Sequence, residues 1–183
     1  MKSDHQPIPV ILSNRKECTR QHINSKTRCH VKSNYVAINK SNTNFKKYIL
    51  PSFLLSNVCH ITNKVDELFA VVSTNNPTVT LIAESWLSKD ILDNAINIGG
   101  KYNPFRLDRS TPGGGVLPYV DTTIPIDRLF NLEVDGKEVM WLLLKPCRTP
   151  RLFSTIIVVI VYYPPGQSVE NVNEIRLTTL QMD

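Results

Sequence analysis

A run of β-branched residues in the last third of the sequence restricts the fold most. Residues 152–163 contain Ile-Ile-Val-Val-Ile-Val-Tyr-Tyr, and two prolines follow them. Such a run favours a strand that is covered on both faces, which is a central strand in a layered fold. Pro164 halts pairing, so Tyr162 and Tyr163 are expected at the carboxyl end of this strand, where a cleft would form.

A second strand leads directly into a carboxylate. Residues 79–83 are a short apolar stretch that follows Asn75-Asn76-Pro77. The stretch is too short for an ordinary helix, so we predict a buried strand with Glu84 at its carboxyl end. Sheets flanked by helices place ligands and catalytic groups at strand ends. Glu84 is therefore the first candidate for chemistry, and the plain alternative is an exposed carboxylate after a strand.

A helix between two strands brings polar residues to one edge of a sheet. Residues 49–58 predict the first strand, with Asn57 near its end. A helix should follow and end before Pro77, because the residue preceding a proline avoids the helical region. Its apolar face consists of Ile61, Val65, Leu68, Phe69 and Val72. Parallel strands joined in this way end at the same edge, so Asn57 and Glu84 should emerge together.

Shorter signals predict the remaining elements. Ser88 is a suitable N-cap for a short helix through Asn94, and residues 169–182 have the spacing of an amphipathic helix. Further strands are predicted at residues 102–108, 116–120, 124–133 and 138–145. The last two should form a hairpin, because an Asp-Gly turn lies between them.

Arg109 precedes a loop that contains three consecutive glycines, residues 113–115. The backbone amides of such a loop can approach a phosphate closely. The loop lacks the Gly-Lys-Ser/Thr ending of nucleotide-hydrolase phosphate loops, and three glycines also make a flexible turn. Both interpretations stay open on these residues alone.

Length and composition predict one domain with its own core. The chain has 183 residues, of which 42% are hydrophobic and 20% charged. The four cysteines lack paired spacing, which argues against a disulfide framework. The N-terminal residues lack the apolar core of a secretory signal, and the longest apolar run is much shorter than a membrane helix. We therefore predict an intracellular chain that is neither secreted nor bound to a membrane.

The positive charge is concentrated in the first 50 residues, which hold ten lysines and arginines against two acidic residues. This segment is rich in polar residues and shows no sustained apolar periodicity. We predict a disordered basic tail over residues 1–48 and a folded domain over residues 49–183. The tail could contact nucleic-acid phosphates, or it could be a solvated leader without a partner.

One pattern in the predicted tail has zinc-ligand residue types, namely Cys18, His22, Cys29 and His30. Their spacing matches neither the two-residue gaps nor the His-x3–5-His arm of structural zinc sites. We therefore do not expect a zinc site there.

Four motifs in series resemble the first half of the endonuclease/exonuclease/phosphatase superfamily. They are Asn57, the Ala-Glu-Ser-Trp-Leu of residues 83–87, the Arg109 to Gly-Gly-Gly-Val stretch, and the Val-Tyr-Tyr-Pro-Pro of residues 161–165. The string Ser-Asn-Val-Cys-His-Ile-Thr-Asn-Lys-Val-Asp-Glu-Leu resembles the start of the endonuclease domain in non-LTR (LINE-like) retrotransposon polyproteins. The resemblance covers residues 51–166. It implies an α+β fold, specifically a partial four-layer α/β/β/α sandwich of the deoxyribonuclease-I-like kind.

The resemblance also implies an activity and roles for individual residues. The family cuts DNA phosphodiesters with a divalent cation, usually Mg²⁺, and no small-molecule cofactor is implied. Glu84 matches the metal-binding glutamate, and Asn57 matches the asparagine that helps to hold the metal and the scissile phosphate. Tyr162 matches the active-site tyrosine. Arg109 and Gly114 are the expected nucleic-acid contacts, and the nucleus becomes a candidate location.

Departures from the family pattern limit the expected activity. The resemblance implies a later Gly-Asp-Phe-Asn element and a terminal Ser-Asp-His element, and neither string occurs between residues 51 and 183. Without them no general base is visible. Cys59 stands where relatives often have arginine, and Pro118 should interrupt a strand. We therefore expect an N-terminal endonuclease fragment with little activity of its own.

Two further expectations follow from the half-domain interpretation. The alternative function is a non-catalytic nucleic-acid-binding or interaction remnant that uses the basic tail. Half of a two-sheet sandwich should also expose the inner face of its sheet, which would make the chain marginally stable and prone to aggregation.

Overall fold

The computed structural model describes residues 8–13, 36–37, 50–147, 149 and 154–163. Nine strands and one α-helix form within these ranges. The strands are β1 (Ile8–Ser13), β2 (Val36–Ala37), β3 (Phe53–Asn57), β4 (Val79–Ala83), β5 (Tyr102–Pro104), β6 (Val116–Asp121), β7 (Ile126–Arg128), β8 (Glu138–Leu144) and β9 (Ile156–Tyr162). The helix α1 spans Val65–Asn75, and short 3₁₀ helices span Ile61–Asn63, Asp93–Ile96 and Phe130–Leu132.

The described strands form two sheets. The first sheet has five strands in the order β2-β3-β4-β6-β5, and the second has four in the order β1-β9-β8-β7. Strands β3 and β4 run parallel, as expected for two strands joined by α1. Strand β9 lies between β1 and β8, which confirms that its β-branched run forms a central strand.

The two sheets pack face to face and share an aliphatic core. The first sheet contributes Val79 and Leu81 of β4 and Val116 of β6, and the second contributes Met140 of β8 and Val158 of β9, all fully buried. Burying each such side chain stabilises the fold by about 1.5–3 kcal/mol. The expectation of an exposed inner face is therefore wrong, because the described segments supply strands to both sheets.

Helix α1 covers the outer face of the five-stranded sheet. Leu68 and Val72 are buried against Ile82 and Leu117 of the sheet, as the apolar periodicity predicts. The helix ends at Asn75, and the amide of Asn76 donates a 2.7 Å hydrogen bond to the Val72 carbonyl from a left-handed conformation. Phe69 departs from the prediction, since its side chain is 49% exposed.

The outer face of the four-stranded sheet is apolar as well. Val139, Trp141, Ile157 and Val159 are buried there, and Leu129 and Leu132 pack against them. The predicted helix at residues 169–182 lies outside the described residues. Within the described ranges no helix is long and apolar enough to cross a membrane, and Cys59 and Cys147 are not in disulfides.

Two segments of the predicted basic tail are strands. Residues Ile8–Ser13 pair in parallel with β9, and Val36–Ala37 pair antiparallel with β3. For these segments the expectation of disorder is wrong, because Ile8 to Leu12 is an apolar run that the polar average of its surroundings concealed. The rest of the tail, including the zinc-like pattern, lies outside the described residues, and the boundary at residue 48 stays a prediction.

The helix expected after Ser88 does not form. The Ile91 amide donates to the Ser88 carbonyl in a single turn, and Arg106 Nη2 donates to the same carbonyl at 2.9 Å. Leu92 is then extended, with φ −73° and ψ 151°, which ends the turn before the 3₁₀ helix at Asp93–Ile96.

Pro118 does not interrupt its strand. It lies inside β6, opposite Leu81 of β4, and its carbonyl accepts a 2.7 Å hydrogen bond from the Phe105 amide. The prediction of a break was wrong because a proline lacks only the donor and keeps its acceptor.

Candidate active site

The parallel strands β3 and β4 bring Asn57 and Glu84 together. Asn57 is the last residue of β3 and lies in register with Ala83, so Glu84 follows directly on the neighbouring strand. Asn57 Nδ2 donates a 2.9 Å hydrogen bond to Glu84 Oε1. The two side chains therefore meet at one edge of the sheet, as the strand order predicts.

The backbone around this pair is strained. Five non-glycine residues of the described chain have positive φ, and four of them, Cys59, His60, Glu84 and Trp86, lie here. The two loops hold each other, because the His60 amide donates to the Glu84 carbonyl at 3.1 Å and the Ile61 amide donates to the Ser85 carbonyl at 3.0 Å. Left-handed conformations of ordinary residues cost free energy and cluster at functional sites.

Cys59 is a third member of the cluster that the sequence did not single out for this role. Its single thiol proton is donated to Glu84 Oε2 at 2.8 Å, and Asn57 Oδ1 lies 3.4 Å from the same sulfur. Both oxygens of the Glu84 carboxylate therefore have a donor. The signal in the sequence is its position two residues after Asn57, in the loop that faces Glu84.

Tyr162 joins the cluster from the other sheet. It is the last residue of β9, and its phenol lies close enough to Glu84 for that carboxylate to raise its pKa. Burial and the nearby carboxylates of Glu84 and Glu138 raise the pKa of the phenol to about 12, against an opposing effect of Arg109. The phenol therefore stays protonated at physiological pH and is a hydrogen-bond donor.

Glu138 is a second carboxylate at the site, and the sequence analysis missed it. It opens β8 in register with Tyr162, its carboxylate accepts the Gly115 amide, and its Oε1 lies 3.3 Å from Arg109 Nη1. Burial raises the pKa of Glu138, and the charge of Glu84 adds to the increase, while Gly115 and Arg109 oppose it. A charged residue at the start of a predicted strand was the available signal.

The glycine loop is packed against these side chains. A Cβ on Gly114 would lie 2.5 Å from Glu138 Oε2, and a Cβ on Gly115 would lie 2.6 Å from Ser85 Oγ. The Gly114 carbonyl accepts the Trp86 amide at 2.9 Å. The backbone of the loop thus lies so close to these side chains that only glycine fits, and the loop is not simply a flexible turn.

The five residues predicted from the sequence lie in one region. Asn57 donates a hydrogen bond to Glu84, and Tyr162 lies near the same carboxylate, whose charge raises the pKa of the phenol. Arg109, whose side chain is 36% exposed, lies at the rim on Glu138, and Gly114 is buried beside the same carboxylate. Nucleic-acid contact by Arg109 and Gly114 stays a prediction.

The donor set has the chemistry that Mg²⁺ requires. Asn57 and Glu84 offer an amide oxygen and a carboxylate, and Glu138 lies near enough for the charge of Glu84 to raise its pKa. Mg²⁺ is usually bound by one or two carboxylates, with water and substrate phosphate completing the shell. The described residues contain no group of three or more His, Cys, Asp and Glu side chains that could hold a metal ion.

A Ser-Asp-His string does occur in the sequence, at residues 3–5 and ahead of β1. This position is at the opposite end of the chain from the one that the resemblance implies. These three residues lie outside the described residues.

Two solved structures share the fold of this chain. The endonuclease domain of TRAS1, a telomere-specific non-LTR retrotransposon, matches with a TM-score of 0.54 and 15% identity over 72% of this chain and 54% of that chain. The AP endonuclease LMAP from Leishmania major matches with a TM-score of 0.51 and 16% identity over 71% of this chain and 46% of that chain. The chain thus spans about half the length of each. No protein-family model matches the sequence, and no curated protein matches it.

Proposed function

Because the chain has the deoxyribonuclease-I-like fold of these endonucleases, we propose that it contains part of a Mg²⁺-dependent, DNA-nicking endonuclease site of retrotransposon origin. The observation that supports this proposal is the meeting of Asn57, Glu84 and Tyr162 where the two sheets adjoin. The substrate is a DNA phosphodiester, and a nuclear location is part of the proposal.

Glu84 and Asn57 are the proposed Mg²⁺ ligands. When bound, the cation supplies Lewis-acid polarisation of the phosphoryl oxygen. Asn57 Nδ2 and Cys59 Sγ donate to the two oxygens of Glu84, which orients the carboxylate. Donors of this kind fix the direction of a metal-binding carboxylate, so the site is partly ordered before the cation binds.

Tyr162 is the proposed hydrogen-bond donor to the scissile phosphate. Its high pKa keeps the proton on the phenol, so the side chain offers a neutral donor beside a carboxylate. A neutral donor can move from Glu84 to a phosphate oxygen without adding negative charge where the phosphate binds.

Arg109 and the glycine loop are the proposed contacts to the DNA backbone. Glu138 accepts a hydrogen bond from the Gly115 amide and pairs with Arg109, so it keeps both groups beside the proposed site. Arg109 is partly exposed and provides a cation for a neighbouring phosphate.

The proposed activity of this chain alone is weak. The Gly-Asp-Phe-Asn element, whose aspartate orients the attacking water in the family that the chain resembles, is absent from the sequence. Groups that act together in catalysis lose most of the rate when one is missing. We therefore expect the Mg²⁺-dependent nicking by this chain to be slow.

A second function is supported by the charge distribution. The ten basic residues among the first 50 could bind nucleic-acid phosphates without any cleavage.

The test is nicking of supercoiled plasmid by the full chain with Mg²⁺. We expect slow relaxation that EDTA abolishes and that Glu84→Gln reduces at least about 100-fold, because the substitution removes the proposed carboxylate ligand. Asp127→Asn is the matched control, since Asp127 is an exposed carboxylate that pairs with Lys145 away from the site. This control should nick like the wild type.

Equal nicking by wild type and Glu84→Gln would refute the metal-ligand role. Plasmid binding without any nicking, at a strength that Glu84→Gln does not change, would establish the second function instead.

A further inference from the structure

Trp86 is an exposed aromatic residue beside the proposed site. It lies two residues after Glu84, and its side chain is 44% exposed. Its φ of +53° is in the left-handed region, which a bulky side chain normally avoids. A tryptophan that is both exposed and held in a strained conformation needs an explanation beyond packing.

Backbone hydrogen bonds fix the position of Trp86. Its amide donates to the Gly114 carbonyl at 2.9 Å, and the preceding Ser85 amide donates to the Gly115 carbonyl at 3.2 Å. Gly113 lies behind the indole, where an added Cβ would contact Trp86 Nε1 and Cε2 at 3.9 Å. The glycine loop thus supports the ring while one part of the indole remains open to solvent.

His60 extends the aromatic surface. Its ring is stacked with the Trp86 ring, with centroids 5.9 Å apart and planes 27° apart. Asn63 Nδ2 lies 3.2 Å from His60 Nδ1, and Thr62 Oγ1 lies 2.9 Å from His60 Nε2. An amide nitrogen only donates, so Nδ1 accepts and Nε2 holds the ring proton. Both ring nitrogens are engaged, which fixes the orientation of the imidazole.

The aromatic pair adjoins the proposed phosphate site through the chain itself. His60 follows Cys59, which donates to Glu84, and the His60 amide donates to the Glu84 carbonyl. A ligand whose phosphate lies at Glu84 and Tyr162 therefore has a flat aromatic surface next to it. Nucleic acid is the ligand class in which a planar group follows every phosphate.

We propose that His60 and Trp86 form a stacking platform for an unpaired nucleobase next to the bound phosphodiester. This proposal rests on the function proposed above and deepens it, since it adds a base contact to a backbone site. Aromatic side chains bind bases of any sequence in this way, because every base has a π face. The platform would favour DNA whose bases near the cut are unstacked over a fully paired duplex.

The two tryptophans of the chain allow a direct test. Trp141 is 1% exposed, so quenching by an added oligonucleotide reports on Trp86. The full chain is titrated in EDTA with a twelve-nucleotide oligothymidine and with an abasic oligonucleotide of equal length, and both fluorescence and anisotropy are followed. We expect the oligothymidine to quench the exposed tryptophan and the abasic strand to bind without quenching.

Substitutions separate stacking from folding. Trp86→Ala should weaken oligothymidine binding roughly tenfold and leave abasic binding unchanged. Trp86→Tyr should restore most of the affinity, because it keeps an aromatic face. Phe130→Ala is the matched control, since Phe130 is an exposed aromatic residue that contacts Arg128 instead of the site. It should bind both oligonucleotides like the wild type.

The outcomes distinguish the two proposals. If the wild type and Trp86→Ala bind each oligonucleotide with the same affinity, and oligothymidine does not quench the wild type, the platform is refuted and the nuclease site is unaffected. If neither binds to the wild type, both proposals fail.

Discussion

Glu84 lies beside side chains from both sheets. Asn57 ends β3 and Cys59 belongs to the loop after it, and both donate to the carboxylate, whereas Tyr162 ends β9 of the other sheet and has its pKa raised by the charge of Glu84. The Glu84 carboxylate thus lies where the two sheets adjoin. Its own left-handed backbone, with φ of +56°, shows that this position is maintained against a local conformational cost.

Gly114 and Gly136 offer a matched pair for measuring the close approach in the glycine loop. Both have φ of +73°, but only at Gly114 would a Cβ meet a neighbour, the Glu138 carboxylate. Gly136→Ala should therefore lower the free energy of unfolding by about 1–2 kcal/mol from backbone strain alone. Gly114→Ala should cost about 1–3 kcal/mol more, because Glu138 must be displaced. Urea denaturation of both variants measures the difference.

A double variant checks the cause of that difference. Gly114→Ala combined with Glu138→Ala removes the clashing carboxylate, so the extra cost of Gly114→Ala should fall in the Glu138→Ala background. Equal costs for Gly114→Ala and Gly136→Ala in the wild-type background would contradict the close approach.

At the scale of the elements, apolar patterns predicted the buried strands well. The runs that became β4 and β9 are short and rich in β-branched residues, and their burial follows from composition alone. The strand β1 was missed because the five apolar residues from Ile8 to Leu12 were averaged into a polar segment. The prediction of a helix after Ser88 failed because the Arg106 guanidinium binds the Ser88 carbonyl, which would accept the first hydrogen bond of that helix.

The site was predictable only in part, for a physical reason. Asn57 and Glu84 end neighbouring parallel strands, so the chain order alone brings them together. Glu138 depends instead on the register between β8 and β9, which no local pattern specifies. The His60–Trp86 stack depends on positive φ angles that neither residue type favours.

The turn after β6 makes a prediction about pH. Asp121 accepts from the Thr123 amide at 2.9 Å and from its hydroxyl at 2.7 Å, and it pairs with Lys101 at 3.0 Å. Burial alone would raise the pKa of Asp121, but these donors outweigh burial and lower it below its ordinary value of 3.8. The stabilisation by Asp121 is therefore present above the ordinary pKa and is lost as the pH falls through the folded-state pKa.

Asp121→Asn should cost about 1–2 kcal/mol of unfolding free energy at pH 7, since it weakens charge-assisted hydrogen bonds. The difference from wild type should shrink as the pH falls below 3.8 toward the lowered pKa of the folded state. Urea denaturation at pH 7, 5 and 3 measures this change. Asp135→Asn, at an exposed turn position, is the control and should match the wild type throughout. A difference independent of pH would exclude the ionic contribution.

At the scale of the whole molecule, positive charge is concentrated in the segment that joins β1 to β2 in the sequence. The basic residues between β1 and β2 are Arg15, Lys16, Arg20, Lys26, Arg28 and Lys32. If they bind DNA phosphates, replacing all six by glutamine should make the salt dependence of duplex binding shallower, by roughly 0.9 in log–log slope for each phosphate that the variant no longer neutralises. Anisotropy titrations from 50 to about 200 mM salt measure the slope.

Lys89→Gln is the control for this measurement, because Lys89 is an exposed lysine within the described range 50–147. It should change the slope by no more than the value for a single phosphate. An unchanged slope after all six replacements would mean that this segment does not bind phosphates.

The pairing of β1 with β9 has a consequence for synthesis on the ribosome. Ile8 is in register with Ile156, so the first strand described pairs with the last strand described. At ordinary translation rates β1 therefore waits on the order of ten seconds for its neighbour. During that interval its unpaired backbone is available to other nascent chains, and a chaperone that shields the emerging N-terminal segment would raise the yield of folded protein.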